Sequence, residues 1–308
     1  MPAPPAKSAA RAAAVLTHLT GNPRGAFTLS ELSKAVRVSP ASLSPVLEAL
    51  TDAGFLIRHL RHKTYQLGPA LVAVGQAAAV RHPVVEFARD EMRTLVAETG
   101  GECIGSVVLG AEIVILAMEG RPSALTHQVA IGQRIPLAPP LGQVFLAWSP
   151  APLVDRWLTR SFGAELSDGA RRHLLDALES VRRRGYAITL SSAQAMMFSR
   201  VLREWSESLS GEDLRQRVVE AMHAVGDSYE VLHESPSEQY DDVQIIAPVF
   251  GDDGQVVFAL TLLGFERLSG VEVLRAAQRL TNSAMHLTRR IGGHPPAADV
   301  VGEDVTTE

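Results

Sequence analysis

The side chains best suited to chemistry in this sequence form one basic cluster. Arg58, Arg61, His62 and Lys63 crowd the end of an alternating apolar segment, with His59 between them. Long cationic side chains at that density suit phosphate oxygens, which take charge-assisted hydrogen bonds from guanidinium and ammonium groups. A second group is polar but uncharged: Thr28, then the run Ser39-Pro40-Ala41-Ser42-Leu43-Ser44-Pro45. Its hydroxyls can donate or accept single hydrogen bonds, and Ala41 can touch a thymine methyl.

Catalytic chemistry finds no footing. There is no GxSxG elbow, phosphate-binding P-loop, HExxH pair or dinucleotide glycine fingerprint. The remaining histidines (18, 82, 127, 173, 223, 233, 286 and 294) are dispersed and show no ligand spacing. Cys103 is the single cysteine and opens an apolar run, where a buried, inert thiol is favoured over a nucleophile. We therefore expect no enzyme activity, no metal and no cofactor. One cysteine also excludes a disulfide-stapled scaffold and fits a reducing compartment. With no apolar run long enough to span a bilayer and no signal-peptide pattern, the expectation is a cytoplasmic protein without membrane contact.

Charge is unevenly placed along the 308 residues. The whole chain carries −5, yet residues 1–70 hold eight Lys/Arg against three Asp/Glu, a net +5, which leaves −10 for the remainder. Local counterion release is not cancelled by acidic bulk elsewhere, so the basic part fits a polyanion partner.

Three short helical patterns precede the basic cluster. Ser8–Thr20 carries Val15, Leu16 and Leu19 on one stripe and stops at Gly21-Asn22-Pro23. Thr28-Leu29-Ser30-Glu31 reads as a capping box. Ser39-Pro40 opens a third pattern with Val46, Leu47 and Leu50, ending near Gly54. Phe55–Leu60 and Thr64–Leu67 then read as two strands joined by Arg61-His62-Lys63. Three helices and a β-ribbon describe a winged helix-turn-helix, with a small helical cap on the rest of the chain as the alternative.

These residues also carry a resemblance. Thr28-Leu29-Ser30-Glu31-Leu32, Val38, Leu47, Leu50, Gly54-Phe55 and Tyr65-Gln66-Leu67-Gly68 look like the winged-helix unit of the IclR family of bacterial transcriptional regulators. The likeness continues in Leu95–Gly100, Gly132, Pro136-Leu137, Gly142, Arg182–Ala187 and Ala247-Pro248-Val249. It implies an α+β chain: a winged helix-turn-helix at 1–68, a linker helix at 69–83 and a GAF-like effector-binding domain at 84–291, an antiparallel sheet with flanking helices. Partners would be double-stranded DNA, a small-molecule effector and further copies of the chain, as a homodimer or homotetramer. The DNA-contacting residues would be Thr28, Ser39, Ala41, Ser42 and Ser44 with Arg58, Arg61, His62 and Lys63.

One departure bears on DNA recognition. The family places a basic, hydroxyl-rich run at the start of the recognition helix, with an arginine where this chain has Pro45; here the run has no Lys or Arg. An internal proline costs a helix about 3 kcal/mol. We therefore expect a shortened or kinked recognition helix, with Ser44 as a second possible cap, soft base readout and phosphate contacts shifted to the ribbon. The alternative function is a ligand-binding or dimerisation protein of the same fold that has lost sequence-specific DNA binding.

In the larger unit, Val85–Val96 is helical by periodicity, Cys103–Leu109 with Glu112–Met118 and Gln244–Phe250 with Gln255–Leu263 are hairpins, and Thr126–Ala130 and Ala187–Leu190 are strand-like. Val273–Ile291 closes as a long amphipathic helix. An insertion at about 191–243 reads as two helices, and 292–308 as a disordered tail. By the resemblance, Pro140, Leu141, Gly142, Thr189, Gln244, Thr261 and Leu263 would line the effector pocket. The first two and Leu263 are apolar and the polar three are uncharged, so a neutral or largely apolar effector is expected.

Overall fold

A computed structural model describes residues 6–81, 83–122, 129–159, 167–190, 201, 217, 220 and 230–296. Helix α1 (Lys7–Gly21) buries Val15 and Leu19 and ends where the Asn22 side chain donates to the His18 carbonyl (3.0 Å). After β1 (Phe27–Thr28), the capping box forms: the Thr28 amide donates to Glu31 Oε2 (2.7 Å), and the Glu31 amide donates to Thr28 Oγ1 (3.3 Å). It starts α2 (Leu29–Ala35).

The recognition helix is not shortened. Helix α3 runs unbroken from Pro40 to Asp52 with Pro45 inside it, and the amides of Ser42 and Leu43 both donate to the Ser39 carbonyl at 3.0 Å. Burial decides the start. Leu43, Val46, Leu47 and Leu50 are all buried in the small core that α3 shares with α1 and α2, and a helix beginning at Ser44 would remove Leu43 from it. Burying a leucine contributes about 1.5–3 kcal/mol, the same order as the proline penalty. Ala41 and Pro45 both face outward, so the carbonyl left without its helical donor can be solvated.

Strands β2 (Leu56–His59) and β3 (Thr64–Leu67) form the ribbon, with β1 on the far edge of β3. Next, α4 (Ala70–Arg81) buries none of its residues, and Val72, Val74 and Val80 are more than half exposed.

The second unit is built on a six-stranded antiparallel sheet. Its strands are β4 (Glu102–Leu109), β5 (Glu112–Glu119), β6 (Arg134–Pro136), β7 (Ala187–Leu190), β9 (Val243–Phe250) and β10 (Val256–Leu263), in the order β6-β5-β4-β10-β9-β7. A separate ribbon pairs β8 (Gln239–Asp241) with β11 (Arg267–Ser269). One face is covered by α5 (Val84–Thr99) and α9 (Gly270–Arg290), burying Met92, Leu95, Ile245, Val249, Phe258 and Leu260. The other face meets α6 (Gln143–Leu146), α7 (Ala151–Leu158) and α8 (Asp168–Arg184), with Val144, Trp157, Leu178, Ala187 and Ala259 in its core. This is an α+β fold.

Both long hairpins form as the sequence indicates. The short strands β6, β8 and β11 and helices α6 to α8 add to that reading. Thr126–Ala130 and the two helices of the insertion fall mostly outside the described residues. Of the tail, residues 292–296 are described: the Gly293 amide donates to the Thr288 carbonyl (2.8 Å) and the His294 amide to that of Gly251 (3.1 Å). The two units touch within one chain. Gly132, at φ +86°, lies so near the end of α1 that a β-carbon there would fall 2.1 Å from Thr20 Cγ2.

Replacing Pro45 by Ala returns the missing amide without disturbing the buried face. We expect Pro45→Ala to stabilise this unit by about 1–3 kcal/mol, read as slower amide hydrogen exchange over residues 43–56 of the full chain. Unchanged exchange would mean that the proline costs nothing in its place.

Candidate DNA-contact and effector sites

The ribbon presents its cations without competition from its own core. Arg58, His59, Arg61, His62 and Lys63 are all exposed, while Leu56 and Tyr65 anchor the strands beneath. Arg58 lies opposite Tyr65 in register, with its guanidinium carbon 5.7 Å from the ring centroid. The tip is held by the His62 amide, which donates to His59 Nδ1 (3.3 Å), and by Lys63 at φ +53°. At the N-terminal end of α3 the expected contact residues Ser39, Ala41 and Ser44 face outward, with Ser42 half-buried, and the acidic Glu48 and Asp52 are exposed further along the helix. Thr28 is differently engaged, since its hydroxyl donates to Glu31 Oε2 (2.8 Å) and accepts from the Glu31 amide. The structure thus places eight of the nine expected contact residues on open surface or its margin, and spends the ninth on a helix cap.

The expected effector residues gather on one face of the large sheet. Thr189 pairs with Gln244, and Thr261 pairs with Ile246 on one side and Ile104 on the other. Paired residues share a face and alternate residues share a face. Thr189, Gln244, Thr261 and Leu263 therefore lie on the side of Ala187 and Ala259, which meets α6 to α8. The loop that carries Pro140, Leu141 and Gly142 enters α6 on that side. Pro140 is buried, and the Leu141 carbonyl accepts from Trp157 Nε1 (2.8 Å). Gly142 sits at φ +94°, a backbone conformation that favours glycine, and lies against Leu137, whose Cδ1 would have to move for a β-carbon there.

Polar residues that the sequence reading missed join them. Gln143, 3% exposed, donates through Nε2 to Glu230 Oε1. Glu230 forms a β-bridge with Thr189, and its Oε2 lies 3.7 Å from His173 Nε2 on α8. Glu102 and Ser106 are buried on the same side, opposite Leu263 and Ala259. Gln143 follows directly on Gly142 and could have been found; Glu230 and His173 belong to no motif and meet only through the fold.

A clasp fixes the chain around Glu230. The Val231 amide donates to the Ile188 carbonyl (3.0 Å), and Ser180 Oγ donates to the Leu232 carbonyl (2.6 Å). Arg184 donates to the Tyr186 carbonyl (2.7 Å), the Val231 carbonyl (2.8 Å) and Glu234 Oε2 (3.0 Å), while the Tyr186 hydroxyl donates to Glu234 Oε1 (2.9 Å). Burial, reinforced by that bond to Glu234, pushes the Tyr186 hydroxyl up to about 12. Burial also opposes ionisation of Glu234, but its own backbone amide, Tyr186 and Arg184 together outweigh it and hold the carboxyl below its usual range. Elsewhere, burial first and Glu119 second push the Cys103 thiol upward, which suits an inert core position.

Known proteins share parts of this chain's sequence and its fold. Residues 76–195 match the family described as Bacterial transcriptional regulator IclR C-terminal. The HTH-type transcriptional regulator XynR of Escherichia coli (strain K12) is 26% identical over 167 residues, a stretch that spans 52% of this chain and 65% of that protein. The crystal structure of an IclR transcriptional regulator from Alicyclobacillus acidocaldarius is 20% identical, with a TM-score of 0.67 over 94% of this chain and 100% of that one. An IclR homologue from Microbacterium hydrocarbonoxydans, crystallised with 4-hydroxybenzoate, is 15% identical with a TM-score of 0.63 over 93% and 99%. A winged-helix unit joined to a sheet-based domain is the shared architecture. Residues 76–195 thus carry the likeness to the IclR C-terminal domain, and the fold of the chain as a whole is that of the solved IclR structures.

The clasp sets an acid limit. Because the folded-state pKa of Glu234 is depressed, its stabilisation is complete above the unfolded carboxyl value and is lost as pH falls through the folded one. Glu234→Gln should cost about 1.5–3 kcal/mol at neutral pH and flatten the acid limb of a melting-temperature profile below the ordinary carboxyl value of 4.5. An unchanged profile would mean that the clasp contributes nothing to the folded state.

Proposed function

We propose that this chain is a cytoplasmic DNA-binding transcriptional regulator controlled by a small, neutral or largely apolar effector, acting as a homodimer or homotetramer. The observation that carries the reading is the exposed basic ribbon on a winged-helix unit, joined by an apolar helix to a domain with a polar patch inside its second sheet layer. Among the described residues no helix is long and apolar enough to cross a membrane.

DNA would be held mainly through phosphates by Arg58, Arg61, His62 and Lys63. Hydroxyls at Ser39, Ser42 and Ser44 and the methyl of Ala41 supply what readout the major groove receives, without the bidentate guanine contact that a cation gives. Thr28 contributes its neighbours more than itself. Helix α4 supports the oligomer: three exposed valines on a helix with no buried residue favour a second apolar helix over water. The pocket would be built from Pro140, Leu141, Gly142, Thr189, Gln244, Thr261 and Leu263. The Microbacterium relative binds a single-ring aromatic, and a ring of that size suits the apolar members of this set, while its carboxylate finds no cation among them. The Gly132–Thr20 contact supports direct coupling within one subunit, since β6 connects it to the Pro140–Gly142 loop.

The lack of any Lys or Arg on α3 favours a second reading, a ligand-binding or dimerisation protein that has lost specific DNA contact. A gel-shift titration against salt separates the two. A ribbon-dominated binder shows a linear fall of log affinity with log salt, and the double variant Arg61→Ala/Lys63→Ala lowers that slope by about 1.8 if each residue neutralises one phosphate. Absence of salt-dependent binding supports the second reading.

The oligomer is tested apart from DNA. Val74→Glu, on the exposed face of α4, should shift the sedimentation-velocity distribution toward monomer with little change in melting temperature per subunit. A distribution identical to the parent's would remove α4 from the interface.

A further inference from the structure

We propose that Thr189, His173 and Glu230 form the polar end of the effector site, and that they select a ligand bearing a hydroxyl over one bearing a carboxylate. The inference rests on the effector reading above and makes it specific. Thr189 is 1% exposed, and its Oγ1 has no hydrogen-bond partner among the described residues. The same holds for His173 Nε2, which approaches Glu230 Oε2 only to 3.7 Å. Buried polar atoms in native proteins are nearly always paired, by protein, water or ligand. Two such atoms beside one carboxylate mark a place where another polar molecule completes the network.

The chemistry of the three groups limits that molecule. The bridge between Thr189 and Glu230 is antiparallel, so their side chains stand side by side on the face toward α6 and α8. Glu230 already accepts from Gln143, yet a carboxylate has about four lone-pair sites and can take a further donor. A ligand hydroxyl supplies one donor for that carboxylate and two lone pairs that can accept from the Thr189 hydroxyl and from an N–H at His173 Nε2. A ligand carboxylate supplies acceptors only, and its charge would stand against Glu230 at low dielectric. Leu137, Val144, Leu178, Ala187 and Ile246 belong to the apolar cluster on this same face, so the surroundings of the polar end suit a ring rather than a second charge. The site thus takes a phenol or a ring alcohol, entering hydroxyl first.

Three probes of matched size test this on the full chain by isothermal titration calorimetry: 4-ethylphenol, its methyl ether 4-ethylanisole, and the 4-ethylbenzoate anion. The expected order has the phenol at least roughly tenfold tighter than the ether, the cost of one unpaired buried group, and the anion weakest. Thr189→Val keeps the shape and removes the hydroxyl; it should bring the phenol toward the ether's affinity and leave the ether unchanged. Glu230→Gln removes the charge and should strengthen binding of the benzoate relative to the phenol. Equal binding of phenol and ether overturns the inference while leaving a neutral-effector reading intact. Preference for the benzoate overturns both. Absence of binding by all three probes, or a phenol-to-ether ratio unmoved in both variants, also overturns the inference.

Discussion

The structure depends on one dry face of one sheet. Phe258, Leu260 and Leu262 of β10, with Ile245, Ala247 and Val249 of β9, all point toward α5 and α9 and are fully buried. Each large apolar side chain so placed contributes about 1.5–3 kcal/mol. Because side chains alternate strictly, slipping either strand by one residue would drive Gln244 and Thr261 into that layer and expose the apolar set. Register is therefore fixed by the dry face, and the other face inherits its polar residues as a consequence. Thr189, Gln244, Thr261 and the buried Glu102 are together because the opposite layer rejects them.

The N-terminal unit shows the same division on a smaller scale. Its core is ten buried residues, four of them from α3, so that helix is committed on its inner side to Leu43, Val46, Leu47 and Leu50. Outward along α3 stand the acidic Glu48 and Asp52 and, at its N-terminal end, only short residues: Ser39, Ala41 and Ser44, with Pro45 among them. Side chains of that length reach neither across a groove nor to two atoms of one base. Reach and charge are found on the ribbon, where Leu56 and Tyr65 provide anchorage and the exposed residues are free to be cationic. Stability and polyanion contact are thus carried by different elements, and altering one leaves the other largely in place.

How much of this could be read from the sequence follows from how local each signal is. The Thr28–Glu31 box, the turn at 251–254 and the stripe of α9 are each set by residues within one or two turns of chain, and all three form. Pro45 points to a shorter helix than forms, because its penalty is local whereas the burial of Leu43 that offsets it is tertiary. Helix α8 is capped by Ser167 and lined by Leu174, Leu178 and Val181, yet its many charged residues leave that stripe faint beside the Arg182–Ala187 motif at its end. Strands of three residues, such as β6 and β8, leave too short a period to detect. The pocket residues came from family likeness, and Glu230 and His173 could come from neither source. They meet only because β7 pairs with a residue far along the chain and α8 folds back over that pair.

That long-range origin bears on how a ligand signal would travel. The loop before β6 is tied where the Gly132 amide donates to the Ile115 carbonyl (2.7 Å), and Gly132 lies close against Thr20 at the end of α1. At the other end of β6, Gly142 lies against Leu137. A segment held this tightly at both ends has little freedom to deform internally, because close-packed interiors resist small displacements and move as blocks. In the proposed regulator, a ligand that shifts the Pro140–Gly142 loop would therefore displace β6 as a unit and press on the end of α1. Since α1 shares its core with α3, the displacement is delivered to the whole winged-helix unit rather than to a single side chain. A ligand acts by this route only to the extent that it binds the two positions of the loop with different affinity.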